Sequence, residues 1–426
     1  MPSIGRWRSL IGLARGGAGI SQEKSILLQN VTIIDGSGRE PLKAMDVLVS
    51  EGRLSALGRS GSLDVNRQET AMFALDGMTL LPGLIDCHVH IFADAGPEGR
   101  IKTDEPPGLA LLRAAYHVRC TLEAGITTVR DLGGQAHMEF ALRRAIAGGY
   151  CGGPRLMLAG KLLSMTSAGA EAFLGMYREA DGADEVRKAA REQLKAGADV
   201  IKVMATGAVM TPGEEPGASQ FTFEEMRSAA EEAHKVGRKM AAHAHGSDGI
   251  LTAVQAGADT IEHGSLLCES PEAIRLMAER GVFLVPTLAT SAMTTHGAEV
   301  PAFMVEKERR IGDAPQRSVR AALAAGVPIA MGTDAGVPFV RHGDNAIELV
   351  LMVEAGLSPM QSIVASTSNA ARALGLQDEI GTIEVGKCAD LLIVDGDPLA
   401  EISVLTKKER ICMVMQNGRV VVGNKS

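Results

Sequence analysis

Aromatic residues are scarce in this chain, at 3% of 426 residues, with 1 Trp, 3 Tyr and 9 Phe. Hydrophobic residues nevertheless make up 46%, so we expect a core packed with aliphatic side chains. Positive charge is not in excess either, because 43 basic residues face 51 acidic ones and give a net charge of -8. This balance argues against a nucleic-acid partner, which selects for basic surfaces. The composition is typical of an aliphatic α/β protein.

Closely spaced cysteines are also absent. The six cysteines are scattered and form no C-x-x-C pair, which argues against zinc ribbons and disulfide frameworks. No apolar run approaches the ~20 residues of a membrane span. The first 25 residues lack the roughly 7–15 uninterrupted apolar residues of a secretory signal. We therefore predict a cytoplasmic protein without a membrane partner, with residues 1–25 as a flexible lead-in.

Both ends of the chain have a sequence pattern that is typical of short strands. Residues 26–82 contain apolar segments separated by Asp-Gly and Glu-Gly turns, and residues 376–426 repeat this pattern. Asn417-Gly418 between two apolar runs predicts a hairpin. We expect residues 26–82 and 376–426 to form a small β-sandwich subdomain together, on either side of a catalytic domain at 83–375.

Residues 83–375 repeat a unit in which a helical segment, a glycine, a short apolar run and a polar residue follow each other. "LEAGITTVRD", "LKAGADVIK" and "VQAGADTIEH" are examples. A glycine suits the left-handed position after a helix, and the apolar runs have the length of strands buried on both faces. Eight such units predict an α/β fold of the (β/α)8 TIM-barrel type. A doubly wound sheet is the alternative, because periodicity does not establish closure.

Five of the ten histidines fall at or just after predicted strands. They are His88, His90, His243, His245 and His263. Strand alternation puts His88 and His90 on one face, and Asp334 follows the last predicted strand. A single H-x-H pair occurs by chance, but histidines at three strand ends together with an aspartate favour a metal site. Imidazole and carboxylate ligands suit catalytic zinc or a related divalent ion.

Lys202 stands inside "ADVIKVMATG", which otherwise predicts a buried strand. One interpretation is a lysine that extends to the barrel mouth or pairs with a carboxylate. The other is functional, because a buried lysine is readily deprotonated. Its neutral amine can add carbon dioxide and form a carbamate that bridges two cations.

Seven motifs occur in order: "LPGLIDCHVH", "GITTVRDLGG", "IKVMATG", "AAHAHG", "IEHG", "GTDAG" and "STSNAARALGLQDEIGTIEVGKCADLLIVDGDPL". With them the chain resembles the metal-dependent amidohydrolase superfamily, from about residue 26 to 422. It looks most like the branch of imidazolonepropionases, Xaa-Pro dipeptidases and ochratoxin-hydrolysing amidohydrolases. Relatives in this branch often carry a Gly-Gly-His-like element after the third strand, where this chain has Ser167-Ala168-Gly169-Ala170.

The resemblance implies a binuclear centre of two divalent ions, zinc by preference, with manganese or cobalt as alternatives. Its ligands would be His88, His90, His243, His263, Asp334 and an N6-carboxylated Lys202. His243 is preferred to His245 as a ligand because it ends the apolar run. The predicted reaction is hydrolysis of an amide C–N bond by metal-activated hydroxide, with Asp334 as general base and acid.

Three further residues are predicted to contact substrate. Arg130 could bind a substrate carboxylate or pair with Asp131. His245 would support a ligand or face the substrate, and His342 would contact the substrate. For His342 a surface-loop histidine is the alternative. Asp86 is expected to orient the region of His88. The loops 161–181 and 208–222 are expected to form the walls of the substrate site.

The predicted substrate is a small molecule with a peptide-like or N-acyl amino acid bond. Cyclic amides, carbamates and ureas are alternative substrates for the same site. A catalytically silent barrel that acts as a binding module is a hypothesis of a different class, and the complete ligand set argues against it. The resemblance also implies a homo-oligomer.

Overall fold

The computed structural model describes residues 25–96, 105–296 and 299–423. The predicted lead-in therefore lies outside the described residues, except for Ser25, which begins the first strand. The strands are β1 (Ser25–Ile33), β2 (Leu42–Ser50), β3 (Arg53–Arg59), β4 (Thr70–Ala74), β5 (Thr79–Pro82), β6 (Leu84–Val89), β7 (Ile126–Asp131), β8 (Arg155–Leu158), β9 (Leu162–Ser164), β10 (Tyr177–Glu179), β11 (Val200–Met204), β12 (Lys239–Ala244), β13 (Thr260–His263), β14 (Phe283–Val285), β15 (Leu391–Val394), β16 (Ile411–Gln416) and β17 (Arg419–Gly423).

Helices alternate with the strands of the central region. They are α1 (Pro107–Glu123), α2 (Met138–Ala147), α3 (Ala168–Ala172), α4 (Ala183–Ala196), α5 (Phe223–Lys235), α6 (Ser247–Ala256), α7 (Pro271–Arg280), α8 (Leu288–His296), α9 (Ala302–Ile311), α10 (Ala314–Ala324), α11 (Ile347–Glu354), α12 (Pro359–Ala365) and α13 (Ser368–Leu374). Within the described ranges, no helix combines the length and the apolar character that crossing a membrane requires.

Strands from both ends of the chain share one sheet, in the order β17-β16-β15-β5-β1-β2-β3, and β4 also pairs with β1. Alternate side chains of these strands, such as Leu28, Val47 and Ile393, bury together in a core of their own. The predicted hairpin is confirmed, because Asn417 and Gly418 connect the antiparallel strands β16 and β17 with φ values of +47° and +72°. Positive φ at both positions is what a tight hairpin turn requires.

The central strands are parallel and follow chain order. One sheet is β6-β7-β8, and the other runs β10-β9-β11-β12-β13-β14. A doubly wound sheet reverses its strand order at a switch point, and this order has no such reversal among β6, β7, β8 and β11–β14. The fold is therefore an α/β fold of the TIM-barrel type. The short strands β9 and β10 lie inside the loop 161–181, which the sequence had not indicated.

The eighth predicted strand is irregular. Residues 329–335 form isolated bridges in place of a continuous strand. They still hydrogen-bond on both sides, because Ala330 N donates to Leu284 O at 2.9 Å and Cys87 N donates to Met331 O at 2.9 Å. Asp334 N donates to His88 O at 2.7 Å. The segment thus lies between β14 and β6, which brings Asp334 beside the H-x-H pair.

Helices end at glycines where the repeat predicts them. Helix α4 ends at Gly197 with φ +104°, and α6 ends at Gly257 with φ +107°. Side chains other than glycine are strained in this left-handed conformation, so glycine allows the chain to turn directly into the next strand. The turn starts β11 and β13 close to their helices, and both strands carry residues of the site.

Candidate metal centre

The carboxyl ends of the central strands bring the predicted ligands to one cavity. The residues that line it include all six: His88, His90, Lys202, His243, His263 and Asp334. His88 and His90 come from the end of β6, and Lys202 and His243 come from the neighbouring strands β11 and β12. Parallel strands of this fold present their functional residues at this end.

The ligand atoms lie within coordination range of one another. His90 Nε2 is 3.2 Å from Asp334 Oδ1, and His88 Nε2 is 3.4 Å from the same oxygen. Donor atoms of His88, His263 and Asp334 all lie within 4.8 Å of each other, and His243, His245 and His263 form a second such group. Two overlapping groups of imidazole and carboxylate donors fit divalent cations.

The sequence indicated His245 as a supporting or substrate-facing residue. In the structure its donor atom lies within 4.8 Å of those of His243 and His263. Its Nδ1 lies 2.8 Å from Ser265 Oγ, and its side chain lines the cavity. The geometry alone does not separate His243 from His245.

Burial keeps the imidazoles in the form that binds metals. It lowers the pKa of His88 to about 4, and it lowers the pKa values of His243 and His263 well below the usual range. Burial alone would raise the pKa of Asp334, but His88 and His90 outweigh it and hold this pKa at about 2. Burial also opposes the charged form of His90, but the Asp334 carboxylate outweighs it and raises the pKa of His90. At neutral pH the site therefore offers neutral imidazoles at His88, His243 and His263 and a carboxylate at Asp334, the protonation states that metal ligands need.

Lys202 is buried, with 2% of its surface exposed, and its Nζ has no hydrogen-bond partner among the described residues. Burial lowers the pKa of this amine to about 8. A buried polar atom without a partner is costly. The structure thus leaves an unsatisfied group at the position where the resemblance implies a bridging ligand.

Two ligand positions have an unusual backbone. His263 and Asp334 have φ values of +68° and +62°, which are strained for residues with side chains. Strain of this kind persists where the surroundings enforce it, and it clusters at functional sites. His263 Nδ1 lies 2.7 Å from Thr287 Oγ1, which fixes the ring.

Asp86 supports the first ligand, as the sequence indicates. Its carboxylate accepts hydrogen bonds from the backbone N of His88 at 3.1 Å, from Thr333 Oγ1 at 2.6 Å and from Asn345 Nδ2 at 2.7 Å. It therefore joins the end of β6 to the segment that carries Asp334. Burial raises the pKa of Asp86 to about 6.

The prediction that Arg130 binds a substrate carboxylate or pairs with Asp131 is wrong in this structure. The side chain is 1% exposed, and its Nη2 lies 2.8 Å from Glu262 Oε1. Its Nε donates to Cys87 O at 2.6 Å. Glu262 Oε2 in turn lies 2.9 Å from His88 Nδ1. Arg130 thus neutralises the carboxylate that orients His88.

We expect the variant Arg130→Met to lose about 3–5 kcal/mol of unfolding free energy, because it leaves Glu262 buried without its cation. Chemical denaturation of the metal-free protein measures this loss. Arg275→Met is the matched control, since Arg275 is exposed and pairs with Glu272 and Glu279 on one helix face. Exposed pairs contribute little, so the control should stay close to the parent. Equal losses in both variants would contradict the structural role of Arg130.

The predicted substrate contact of His342 is also corrected. This residue is not among the described residues that line the cavity. Its ring stacks on that of His117 at 4.5 Å, and its Nε2 lies 3.2 Å from both His90 O and Ala93 O. It is therefore neither a substrate contact nor an exposed loop histidine, and it supports the backbone that follows the H-x-H pair.

The sequence interpretation missed three residues of the site. Glu262 contacts His88, and Tyr177 and Glu308 line the cavity. The sequence did indicate Glu262 indirectly, because an acidic residue inside the apolar run before His263 is unusual. Tyr177 lies in the loop 161–181, and that loop was expected to form a wall without residue roles. Glu308 had no comparable signal, because α9 was not connected to the site.

Both loops that were expected to enclose the substrate contribute to the cavity. Leu162, Phe173 and Met176 come from the first loop, and Ala208, Val209 and Met210 come from the second. Ser167 in the first loop caps α3, and a side chain at Gly169 would meet the ring of Tyr177 at 2.8 Å. The small residues of this segment thus allow Tyr177 to reach the cavity wall.

A cluster of imidazoles, a carboxylate and a buried amine at the strand ends of a TIM-barrel-type fold defines a hydrolytic enzyme. The chain belongs to the Amidohydrolase family, whose model matches residues 79–421. It is a hydrolase that acts on amide C–N bonds. This confirms the resemblance that the sequence motifs indicate.

Individual proteins and a solved structure are also similar to this chain over most of its length. Ochratoxinase of Aspergillus niger is 31% identical over 438 residues, which cover 95% of this chain and 88% of the relative. Imidazolonepropionase of Rhizorhabdus wittichii is 30% identical and covers 84% of this chain and 89% of its own. The crystal structure of a Xaa-Pro dipeptidase with bound methionine in the active site superposes with a TM-score of 0.85 at 32% identity, over 94% of this chain and 100% of the other.

Proposed function

We propose that this chain is a binuclear metal-dependent amidohydrolase that cleaves a peptide-like or N-acyl amino acid bond of a small molecule. The observation that carries the proposal is the convergence of His88, His90, His243, His263, Lys202 and Asp334 on one cavity. The relatives named as ochratoxinase and Xaa-Pro dipeptidase support an amide as the substrate.

Two sets of residues would hold the cations. His88, His90 and Asp334 suit the more buried ion, and His243 and His263 suit the second, with Lys202 between the sets. Zinc fits these imidazole and carboxylate donors, and manganese and cobalt are alternatives. The chemistry that bound divalent cations supply is a polarised carbonyl group and a water of lowered pKa.

Lys202 would act as a carbamate. Its unpartnered Nζ supports this assignment, because carboxylation replaces a buried amine by an anion with two oxygen donors. In this reaction the nitrogen lone pair attacks the carbon of carbon dioxide and forms an N–C bond, the π pair of one C=O bond moves onto its oxygen, and the nitrogen gives a proton to water. A carbamate is balanced by nearby cations, whereas the bare amine has no hydrogen-bond partner in the described site.

Asp334 would move the proton. Its Oδ1 lies 3.4 Å from His88 Nε2 and 3.2 Å from His90 Nε2, and the side chain lines the cavity, where it could accept a proton from water. The same oxygen can then donate the proton to the leaving nitrogen, which an amide needs in order to depart as an amine. Glu262 stays ionised beside Arg130 and His88, which hold its pKa at about 2 against the opposing effect of burial.

Cyclic amides, carbamates and ureas are the second candidate substrates, and the relative named imidazolonepropionase favours a cyclic amide among them. The site residues are the same for both candidates. A silent binding module is a poor fit, since it would have no need for an unpartnered buried lysine or for ligands in strained backbone.

We also propose that the eight central segments close into a barrel and that the sheet shared by the chain ends forms a separate sandwich. Hydrogen bonds from residues 330–334 to both β14 and β6 support closure. The separate apolar core of the shared sheet supports the second unit. The domain boundaries 26–82, 83–375 and 376–426, a cytoplasmic location and a homo-oligomer stay predictions.

Metal removal tests the proposed function. We expect chelator-treated protein to lose hydrolysis and to regain it when zinc, manganese or cobalt is added, because the cations supply the Lewis acid. Elemental analysis should find about two ions per active chain. A panel of Xaa-Pro dipeptides, N-acyl amino acids, imidazolones and aryl amides then tests the substrate class. Protein that holds no divalent ion and gains no hydrolysis with any of the three would overturn the proposal.

A further inference from the structure

The cavity beside the ligand cluster has an apolar wall. Phe173, Met176, Met204, Val209, Met210 and Val337 all line it. A wall of this kind binds the hydrocarbon part of a ligand, and a few polar groups then determine its orientation. The polar groups outside the ligand cluster are therefore the ones that select a substrate.

Glu308 interrupts this apolar wall. It lies on α9, is 5% exposed and lines the cavity. The hydroxyl of Ser291 on α8 donates a hydrogen bond to its carboxyl group. Burial raises the pKa of Glu308 to about 7, and no cation among the described residues offsets this effect.

The neighbouring lysine does not pair with Glu308. Lys307 Nζ donates to the backbone oxygens of Ala208 at 3.1 Å and Thr211 at 2.6 Å, which anchors α9 to the loop after β11. Arg130, which had been expected to receive a substrate carboxylate, is occupied by Glu262. Outside the ligand cluster, the described residues that line the cavity thus include a carboxyl group and no arginine.

A buried carboxylate is stable when a cation or several donors approach it. Ser291 supplies one donor, and the cavity side of the group faces the space that a substrate occupies. An ammonium group on a bound molecule would supply the missing cation and form an ion pair with Glu308. A carboxylate on the molecule would instead meet like charge in an environment of low polarity, which is strongly unfavourable.

We propose that Glu308 determines substrate charge, so that the enzyme prefers an apolar amide with an ammonium group over the matching amide with a carboxylate. This inference rests on the proposed amide hydrolysis. Among its candidate substrates it favours peptide-like amides that carry an ammonium group over N-acyl amino acids, whose only charged group is a carboxylate. Glu308 binds substrate away from the scissile bond and takes no part in the proton transfer.

Two matched series of amides test the inference with zinc-loaded protein. In the first, ε-aminocaproyl, caproyl and adipoyl p-nitroanilides carry an ammonium, a neutral or a carboxylate end on the acyl side. In the second, caproyl amides of p-aminobenzylamine, p-toluidine and p-aminobenzoic acid place the same charges on the leaving side. The measurement is kcat/KM for each amide with the parent protein, Glu308→Gln and Glu306→Gln. Glu306 is the control, because it lies on the same helix, is exposed and pairs with Arg309.

In at least one series we expect the ammonium amide to exceed the carboxylate amide by roughly 10- to 100-fold, the range that one hydrogen bond to a charged group supplies. Glu308→Gln should bring the ratio of kcat/KM for the ammonium amide to kcat/KM for the carboxylate amide close to one, while Glu306→Gln should keep the ratio of the parent protein. If Glu308 had only a structural role, Glu308→Gln would lower kcat/KM for all three amides of a series by the same factor. This result overturns the inference.

The two proposals fail in distinguishable ways. If the neutral amides are hydrolysed without a charge preference that depends on Glu308, the inference is wrong and the proposed function stands. If no amide in either series or in the wider panel is hydrolysed, the proposed function is wrong. In that case calorimetric binding of the six amides to the parent and to Glu308→Gln still tests charge selection, and equal affinity ratios in both proteins reject it.

Discussion

We expect the variant Lys202→Ala to lose a metal ion and nearly all hydrolytic activity. The metal content of the variant should fall from about two ions per chain to one or fewer, because the proposed carbamate would be a ligand to both ions. The rate should fall by at least roughly 100- to 1000-fold, the loss that follows removal of one strong electrostatic stabiliser. Elemental analysis and kcat/KM on an amide substrate measure the two effects.

Lys239→Ala is the matched control for this experiment. Lys239 lies on the neighbouring strand β12, where its Nζ donates to Arg372 O at 2.8 Å, away from the ligand cluster. Bicarbonate adds a second test, because metal uptake by the chelated parent protein should depend on it and uptake by Lys202→Ala should not. A Lys202→Ala variant with full metal content and full rate would reduce Lys202 to a structural residue.

The second large effect is expected for Asp334→Asn. The amide keeps the shape of the side chain but cannot accept and return a proton, so kcat should fall by about 10²- to 10⁴-fold. Metal content is measured in the same samples, which separates loss of a ligand from loss of proton transfer. The variant Asp344→Asn is the control, since Asp344 is exposed and pairs with Lys408 on the surface.

The kcat of Asp334→Asn samples that still contain metal decides the role of Asp334. A low kcat with metal still bound supports proton transfer by this carboxylate. An unchanged kcat would contradict that role, and solvent would then carry the proton.

The residues alone indicated a metal site because metal chemistry restricts residue types, and the resemblance implied the full ligand set. Strand alternation places His88 and His90 on one face, and Asp334 follows a separate apolar run. Lys202 was recognisable for a related reason, since a charged residue inside a buried strand needs an explanation. The parallel strand order follows equally from the repeated glycine and apolar run.

Residues that depend on partners distant in the chain could not be assigned in this way. Arg130 was expected to bind a substrate carboxylate or to pair with its neighbour Asp131, but its partner Glu262 lies on another strand across the fold. The same limit applies to His342, which packs on His117, and to Glu308, which reaches the cavity from a helix. Periodicity describes the face of an element, and it contains no information about which element that face meets.

The sheet shared by the chain ends also constrains the order of folding. Strand β5 pairs with β1 on one side and with β15 on the other, so Leu80 meets Ile393 across almost the whole sequence. During synthesis the edge of β5 stays open until the ribosome has released β15, after all eight units of the central region have emerged. Contacts this remote form slowly, and an open apolar strand edge exposes the nascent chain to aggregation. Folding of the central region would bring the two parts of this sheet within reach of each other, because that region lies between β5 and β15 in the chain.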